Sequence, residues 1–278
     1  MKKSFAVIGN PVEHSLSPLI HRLFAEEFSI RLHYEKILAP RDGFAKAVEN
    51  FFTQEAACGA NVTVPFKEEA FALCQIKSAR AMAAQVVNTL TKTEEGLAGD
   101  LTDGIGLTRD LEKRFGCHLE NQHILILGAG GAAAGIIPAL LERNPRLLVV
   151  ANRTLAKAEK LRERYPQIVV CPLTGPFPDA FDLLINATSA ALFQDTPPLL
   201  PNIFRKHGVA YDLNYGANAA IFLQRAKKIG AAMAVDGLGM LIEQAAESFF
   251  IWHKRMPNTD VVFARLKEQH GHYTRSHS

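Results

Sequence analysis

A short apolar run that leads into a glycine-rich turn and then into a helical stretch constrains the fold of this chain most strongly. Residues 124–127 (ILIL) are followed by GAGGAA at residues 128–133. In a parallel βαβ unit the first glycine permits a tight bend, the second admits a pyrophosphate, and the small third residue lets the helix pack on the strand. The helix N-terminus also favours bound phosphate. We therefore predict a dinucleotide site, with a purely structural turn as the alternative, formed by Gly128, Ala129, Gly130, Gly131 and Ala132.

The end of the next apolar run indicates which dinucleotide binds. NAD enzymes usually place Asp or Glu there, to bind the ribose 2′-hydroxyl. Here residues 147–150 lead into Ala-Asn-Arg-Thr, and Arg153 is able to make a forked contact with a 2′-phosphate. The alternative is a solvated arginine at a helix start. We predict NADP(H) as the cofactor, with Lys157 one helical turn beyond Arg153.

Short apolar runs alternate with helix-sized stretches along the chain, which is typical of βαβ units and an α/β fold. We expect a substrate-binding α/β domain over residues 1–102 and a Rossmann-type NADP-binding domain over residues 103–236. The C-terminal helices, residues 237–278, are expected to pack on the first domain. The predicted strands are 5–8, 61–64, 124–127, 147–150, 168–171, 183–186 and 209–213.

Composition excludes several classes of protein. Of 278 residues, 48% are hydrophobic and 21% charged, an ordinary balance for a globular chain. The net charge of +3 and the lack of a Lys/Arg-dense tract argue against nucleic-acid binding. No apolar stretch is long enough for a bilayer, no signal peptide is evident, and the four cysteines are far apart. We expect a cytoplasmic monomer or homodimer that acts on a small molecule and has no metal, nucleic-acid or membrane partner.

Polar residues stand in unusual places in the N-terminal part. Residues 61–67 (NVTVPFK) are predicted to continue a strand, with Asn61, Thr63 and Pro65 on one face and the intervening residues on the other. Asn and Thr in a strand need hydrogen-bond partners if they are buried. Those partners are either the protein's own backbone or a hydroxylated ligand, since ligands of open α/β sheets gather at the carboxyl ends of strands. Asn61 and Thr63 are therefore candidate substrate-binding residues.

Motifs along nearly the whole chain, residues 5–257, are similar to those of the shikimate dehydrogenase family and occur in the same order. This resemblance implies NADPH-dependent, reversible reduction of 3-dehydroshikimate to shikimate, a step of aromatic amino-acid biosynthesis. The two most specific motifs are NVTVPFK and DGLGMLIEQAA. The others are GNPVEHSLSP, VNTL, GDLTDGIG, GAGGAA, NRT, NATS and YDLNY.

The resemblance also implies roles for individual residues. Lys67 matches the catalytic lysine and Asp103 its carboxylate partner. Hydride addition to a ketone builds negative charge on oxygen, which an ammonium is able to stabilise and protonate. The alternative is a surface Lys–Asp pair of little consequence. The residues that match the substrate-holding set are Ser15, Ser17, Thr63, Asn88, Tyr215 and Gln244. Those that match the cofactor site include Asn152, Arg153, Thr154 and Lys157. Those that match its nicotinamide end are Thr188, Leu213 and Gly237.

Three positions depart from the family pattern. Leu101 replaces an asparagine, Ala134 and Gly135 stand where an arginine is frequent, and Ala191 replaces a glycine. The missing arginine removes one possible phosphate contact, so we expect either a lower affinity for NADP or a binding that depends more on Arg153 and Lys157. Glu243 and Glu247, by contrast, are expected on the solvated face of the last long helix.

Three other functions remain open on sequence grounds. An NAD-preferring quinate/shikimate dehydrogenase is disfavoured by the missing acidic residue after the second strand. A non-catalytic NADP-binding regulator would not need to keep Lys67 and Asp103. A methylene-folate-type dehydrogenase also combines a lysine-bearing domain with a Rossmann unit, but it would not explain NVTVPFK.

Overall fold

The computed structural model describes residues 3–190, 196–271 and 273–275, and the chain forms two compact units. The first comprises the described residues up to Leu107 together with Leu241–Val262. The second comprises Thr108–Met240 and the described residues from Phe263 onward. Of the C-terminal residues 237–278, which we expect to pack on the first domain, Leu241–Val262 lie in the first unit. Residues up to Met240 and the described residues from Phe263 onward lie in the second unit, where the last strand joins the sheet.

The bounds of the elements follow in chain order. The strands are β1 Lys3–Gly9, β2 Leu32–Leu38, β3 Ala57–Val62, β4 Ile76–Lys77, β5 Thr89–Thr93, β6 Gly96–Asp100, β7 His123–Leu127, β8 Leu147–Asn152, β9 Val169–Pro172, β10 Phe181–Asn186, β11 Phe204–Asp212, β12 Met233–Val235 and β13 Tyr273–Arg275. The helices are α1 Ser17–Glu27, α2 Phe44–Phe52, α3 Lys67–Leu73, α4 Ala79–Ala84, α5 Asp103–Arg109, α6 Gly131–Leu141, α7 Leu155–Arg164, α8 Ala217–Lys228, α9 Leu238–His253 and α10 Thr259–His270. Helix α5 continues as a π-helical segment, Asp110–Arg114.

The sheet of the first unit is mixed, with the strand order β2-β1-β3-β5-β6-β4. Strand β1 is parallel to β2 and β3, and helices α1 and α2 form the crossovers. Strand β5 is antiparallel to β3 and β6. Aromatic rings dominate the core: the ring centroids of Phe5 and Trp252 lie 4.8 Å apart, and those of Phe24 and Phe249 lie 5.8 Å apart. Helix α9 therefore supplies part of the core of a unit that is otherwise N-terminal.

The sheet of the second unit has the order β13-β12-β11-β10-β7-β8-β9. Strands β7 to β12 are mutually parallel, and β13 is antiparallel to β12. Without β13 this is the strand order of a Rossmann fold. The α/β prediction is confirmed, and each of the seven predicted runs overlaps a strand. The core of the second unit includes the side chains of Leu125, Val149 and Leu184, each 0% exposed.

The prediction that residues 61–67 continue a strand was wrong beyond Val62. Strand β3 ends there, Val64 is 39% exposed, and the N–H of Phe66 donates to the carbonyl of Thr63 at 3.1 Å. Pro65 has no N–H for a strand ladder, so the chain turns and helix α3 begins at Lys67. Because the chain turns here, residues 63–66 do not alternate between the two faces of a sheet as residues of a strand would.

The prediction that Glu243 and Glu247 are solvated was also wrong. They are 2% and 8% exposed, because helix α9 is buried on nearly all sides within the first unit. Glu243 accepts a hydrogen bond from Thr259 Oγ1 at 2.7 Å, and Glu247 accepts one from Arg80 Nη1 at 3.0 Å.

Among the described residues, no helix is both long enough and apolar enough to cross a bilayer.

Candidate functional site

Lys67 and Asp103 form a buried ion pair in the first unit. Lys67 Nζ donates to Asp103 Oδ2 at 2.5 Å, and the two residues are 9% and 5% exposed. Because both residues are buried, the alternative of an exposed surface pair does not describe Lys67 and Asp103. Burial removes both charges from water, so each depends on the other for stabilisation.

The second oxygen of Asp103 accepts a hydrogen bond from the amide of Asn88, which belongs to a wider polar network. Asn88 Nδ2 lies 3.1 Å from Asp103 Oδ1, 2.8 Å from Thr102 Oγ1 and 3.2 Å from Gln244 Oε1. Thr102 Oγ1 also donates to Gln244 Oε1 at 3.3 Å. The structure thus brings together four of the residues that the sequence singled out: Lys67, Asp103, Asn88 and Gln244. Thr102 was not predicted, although it lies beside Asp103.

Ser15 and Ser17 lie where β1 leads into helix α1. Their hydroxyl oxygens are 3.1 Å apart, Ser17 is 5% exposed, and Ser15 is half-buried. Thr63 is also half-buried, and its methyl group packs so closely on Gly9 that a Cβ there would lie 2.3 Å from it. Gly9 therefore lets the Thr63 segment pack against the end of β1.

Asn61 finds its partners within the protein. Its Oδ1 accepts from Tyr34 Oη at 2.7 Å, and its Nδ2 lies 3.0 Å from Ser248 Oγ and 3.2 Å from Thr89 Oγ1. Of the two explanations for a buried asparagine in this strand, internal hydrogen bonding is the one observed for this side chain. Asn61 thus belongs to the network behind the Lys67–Asp103 pair.

Arg80 is a residue of this unit that sequence reasoning missed. Its guanidinium donates to both oxygens of Asp100, from Nε at 2.6 Å and from Nη2 at 3.1 Å, and also reaches Glu247. Burial alone would raise the pKa of Asp100, but hydrogen bonds from Arg80 and Ser78 outweigh it and hold that pKa below its usual value. Arg80 thereby ties the segment that precedes Asp103 to helix α9, which carries Gln244. No motif signalled this contact, since it joins positions 167 residues apart.

The glycine-rich turn of the second unit has the geometry that a dinucleotide site requires. Gly128 has φ +107°, and a Cβ there would lie 2.9 Å from the carbonyl oxygen of Ala187. Gly130, at the N-cap of α6, has φ −94°, and a Cβ there would meet no atom of the described residues within 4 Å, apart from its chain neighbours and its own helix backbone. The protein's own packing therefore requires glycine at 128 but not at 130, where the open space is available to a ligand. Gly131 and Ala132 begin α6 and are half-buried, as is Ala129.

The residues expected to bind the ribose and its 2′-phosphate lie where β8 leads into α7. Arg153, Thr154 and Lys157 are exposed, and Asn152 Nδ2 donates to the carbonyl of Thr154 at 2.8 Å. The side chain of Thr154 does not cap α7. The structure thus leaves the charged groups of this corner facing solvent.

The segments expected at the nicotinamide end are joined through Asp212, at the end of β11. Asn186 Nδ2 donates to Asp212 Oδ2 at 3.1 Å, and Asn186 Oδ1 accepts from Thr188 Oγ1 at 2.7 Å. Burial raises the pKa of Asp212 to about 7, although hydrogen bonds from Asn214 and Asn186 act in the opposite direction. Leu213 N–H donates to the Asn186 carbonyl at 3.0 Å. A Cβ at Gly237 would lie 2.5 Å from the Leu213 oxygen, so Gly237 also belongs to this packed corner.

The remaining positions of interest are placed as follows. Tyr215 is half-buried in the second unit, whereas the other candidate substrate residues lie in the first. Leu101 and Ala134 are 3% and 4% exposed, so both departures from the family pattern are buried apolar side chains. Ala191 lies outside the described residues. In the described part of the chain, no three His, Cys, Asp or Glu residues are grouped so that they could hold a metal ion.

The fold and its two candidate sites define a class of dehydrogenase. One α/β unit carries a buried Lys–Asp pair, and the other unit is a Rossmann fold with the glycine-rich turn. Comparison with known proteins narrows this class. The model of the shikimate dehydrogenase substrate binding domain matches residues 7–90, that of shikimate/quinate 5-dehydrogenase matches residues 110–196, and that of the shikimate 5′-dehydrogenase C-terminal domain matches residues 237–267.

Individual relatives resemble the chain over nearly its full length. A shikimate dehydrogenase (NADP(+)) of Janthinobacterium sp. (strain Marseille) is 47% identical, covering 95% of this chain and 97% of the relative. The crystal structure of an Ael1 enzyme from Pseudomonas putida is 40% identical, with a TM-score of 0.87 over 95% of this chain and 98% of that one. A shikimate 5-dehydrogenase from Thermus thermophilus, in complex with NADP(H) and shikimate, is 30% identical, with a TM-score of 0.81 over 96% and 99%. The chain belongs to the shikimate dehydrogenase family.

Proposed function

We propose that this protein catalyses the reversible, NADPH-dependent reduction of 3-dehydroshikimate to shikimate, a step of aromatic amino-acid biosynthesis. The observation that carries the proposal is the buried Lys67–Asp103 pair, whose carboxylate accepts from Asn88 Nδ2, which in turn lies 3.2 Å from Gln244 Oε1. The name of the relative from Janthinobacterium and the bound molecules of the Thermus enzyme support the same substrate and cofactor.

Two features of the Rossmann unit support NADP(H) as the cofactor. The space beside Gly130 is free of side chains from the described part of the protein, as the approach of a pyrophosphate requires. The exposed cations of Arg153 and Lys157 follow β8, and no carboxylate stands there to repel a 2′-phosphate. NADPH, when bound, supplies the hydride. We assign the rest of its site to Asn152, Thr154, Thr188, Leu213 and Gly237.

Lys67 acts on the oxygen that gains charge as the ketone is reduced. Its ammonium stabilises the developing alkoxide and donates the proton that makes it a hydroxyl. In the direction of oxidation the same amine accepts that proton. Asp103 holds the ammonium in place and, through its second oxygen, is able to accept a hydrogen bond from a substrate hydroxyl. Because both groups are buried, water does not screen their charges and the interaction with the alkoxide is strong.

Hydroxyl and amide side chains hold the rest of the substrate. We assign the carboxylate to Ser15 and Ser17, whose hydroxyls lie together at the start of α1. The ring hydroxyls are assigned to Thr63, Asn88, Gln244 and Tyr215, with Asn61 supporting Asn88 from behind. A site that pairs its buried polar groups with substrate hydroxyls discriminates strongly against analogues that lack them.

The test is direct. Purified protein is mixed with shikimate and NADP⁺, and the absorbance of the reduced nicotinamide is followed. We expect rapid reduction of NADP⁺, with slower rates for NAD⁺ and for quinate. Higher kcat/KM with NAD⁺ and quinate would favour the quinate/shikimate dehydrogenase instead. Binding of NADP⁺ without turnover of either acid would favour a regulator and overturn the proposal.

We also expect a monomer or homodimer that works in the cytoplasm. The mass of the particle in solution, measured by light scattering, decides between the two assembly states. A larger assembly would contradict the expectation without affecting the proposed reaction.

A further inference from the structure

Tyr34 begins a chain of hydrogen bonds that leads to the catalytic pair. Its hydroxyl donates to Asn61 Oδ1 at 2.7 Å. Tyr34 has a single proton, and a carbonyl oxygen is able only to accept, so the Tyr34 proton lies toward Asn61.

The same direction of donation continues on the other side of Asn61. Its Nδ2 faces Thr89 Oγ1 at 3.2 Å, and Thr89 Oγ1 donates to Asn88 Oδ1 at 3.0 Å. Asn88 then presents its Nδ2 to Asp103 Oδ1 at 3.1 Å. A carboxylate accepts hydrogen bonds and does not donate them, so it marks the end of the chain. Thr89 Oγ1 also lies 2.8 Å from Ser248 Oγ, which donates to it in this arrangement. Every link from Tyr34 to Asp103 then points the same way.

The orientation of Asn88 depends on this chain. If its amide were rotated by half a turn, Oδ1 would face the carboxylate and be repelled by it. Thr89 and the N–H of Thr102, at 2.8 Å, are the donors that hold Oδ1 on the correct side. Thr89 is in turn fixed by Asn61, whose own amide is oriented by Tyr34. Burial also raises the pKa of Tyr34 well above its usual value, so the phenol keeps its proton at neutral pH.

We propose that Tyr34 and Thr89 are positioning residues for the proposed reaction, which act through Asn61 and Asn88 on the orientation of Asp103. The inference rests on the proposed function and extends it to two side chains that are assigned no contact with substrate or cofactor. Thr89 is 0% exposed, so it acts only through its neighbours. The ring of Tyr34 stacks on His21 with centroids 4.5 Å apart and planes 14° apart, a contact that phenylalanine would keep.

The experiment uses two nearly isosteric variants, Tyr34→Phe and Thr89→Val. Each removes one hydroxyl together with its hydrogen bonds. Tyr34→Phe removes the donor 2.7 Å from Asn61 Oδ1, and Thr89→Val leaves the N–H of Thr102 as the donor to Asn88 Oδ1. We expect each to lower kcat for shikimate oxidation roughly five- to thirtyfold, as follows from the cost of losing one such hydroxyl. The Kd for shikimate should change by less than about threefold, and the Kd for NADP⁺ should not change. Tyr165→Phe, which removes a phenolic hydroxyl from the second unit, is the matched control and should leave kcat unchanged.

A double-mutant cycle separates positioning from loss of packing. Because both residues act through one chain, Tyr34→Phe should have little further effect on kcat in the Thr89→Val background. Effects that multiply, or wild-type kcat in both single variants, would overturn the inference. A wild-type protein that is inactive toward shikimate would instead refute the proposed function. In that case urea unfolding of wild type, the two single variants and the double variant still tests the coupling between the two hydroxyls. Strictly additive changes in the free energy of unfolding would show that the hydroxyls are not coupled.

Discussion

Lys67 and Asp103 are the first residues of two short helices, α3 and α5, and their charged groups lie 2.5 Å apart. The turn at residues 63–66 brings the lysine to this point, and the end of β6 brings the aspartate. Both charges are nearly excluded from water. Such a pair is a weak source of stability but a strong source of local electric field, which is what a developing alkoxide requires.

Replacing the lysine should abolish most of the activity. In Lys67→Ala we expect kcat to fall by about 10²–10⁴, because the proton donor is lost, with a modest change in substrate affinity. Steady-state kinetics and shikimate binding measure the two effects. Lys46→Ala removes an exposed lysine of the same unit that pairs with Glu49, and it should behave as wild type. A near-wild-type turnover number in Lys67→Ala would remove Lys67 from the mechanism.

Two glycines of the dinucleotide turn should respond differently to alanine. Gly130→Ala places a methyl group in open space at an ordinary φ, so the free energy of unfolding should stay within about 0.5 kcal/mol of wild type. The Kd for NADP⁺ should rise, since that methyl group occupies the space assigned to the pyrophosphate. Gly128→Ala meets a positive φ and the carbonyl of Ala187, and should destabilise the protein by about 1–3 kcal/mol. Unfolding by urea and titration with NADP⁺ distinguish these outcomes; unchanged NADP⁺ affinity in Gly130→Ala would contradict the assigned site.

Arg153 should determine the preference for NADP over NAD. Removal of its forked contact in Arg153→Ala should weaken NADP⁺ binding about ten- to hundredfold and affect NAD⁺ much less. Arg146 lies just before β8, whereas Arg153 lies just after it, so Arg146→Ala is a matched control. The ratio of kcat/KM for the two coenzymes is the measurement. Equal losses for NADP⁺ and NAD⁺ would show that Arg153 does not contact the 2′-phosphate.

The buried histidines should make the protein sensitive to acid. Burial lowers the pKa of His21 from 6.5 to about 3, with a further contribution from His253, whose own pKa is lowered to about 4. A group with a lowered pKa binds protons mainly in the unfolded chain, so its contribution is fully present above pH 6.5 and is lost as the pH falls. Between pH 7.5 and pH 5 His21 should account for about 2 kcal/mol of lost stability.

Urea unfolding at the two pH values tests this expectation. His21→Phe should lose less stability on acidification than wild type, whereas His33→Gln, which changes a histidine outside the core, should follow the wild-type curve. Other groups with shifted pKa, such as Asp212, are common to all three proteins and cancel in the comparison. Parallel curves for wild type and His21→Phe would contradict the assignment.

The dinucleotide unit was largely predictable because its determinants are local. The apolar strand, Gly128 and the helix start are adjacent in sequence, and Arg153 follows the next strand directly. The polar network was predictable only in part. Asn61, Asn88 and Gln244 carried signals from motifs, but the turn at Pro65 was misread as strand, and the burial of Glu247 depends on Arg80, which lies 167 residues away.

The sequence by itself determined the alternation of short strands with helices and the glycine-rich turn, because backbone propensities and short-range spacing are properties of neighbouring residues. The charged pair was named from the resemblance to a family and not from spacing. Tertiary structure decided which polar groups meet. Tyr34 lies in β2, whereas Asn88 and Thr89 are neighbours at the start of β5, and the direction of their hydrogen bonds follows from which atoms the packed sheet and helix α9 bring within about 3 Å of each other. Burial then makes each of those contacts obligatory, since no water remains to replace a missing partner.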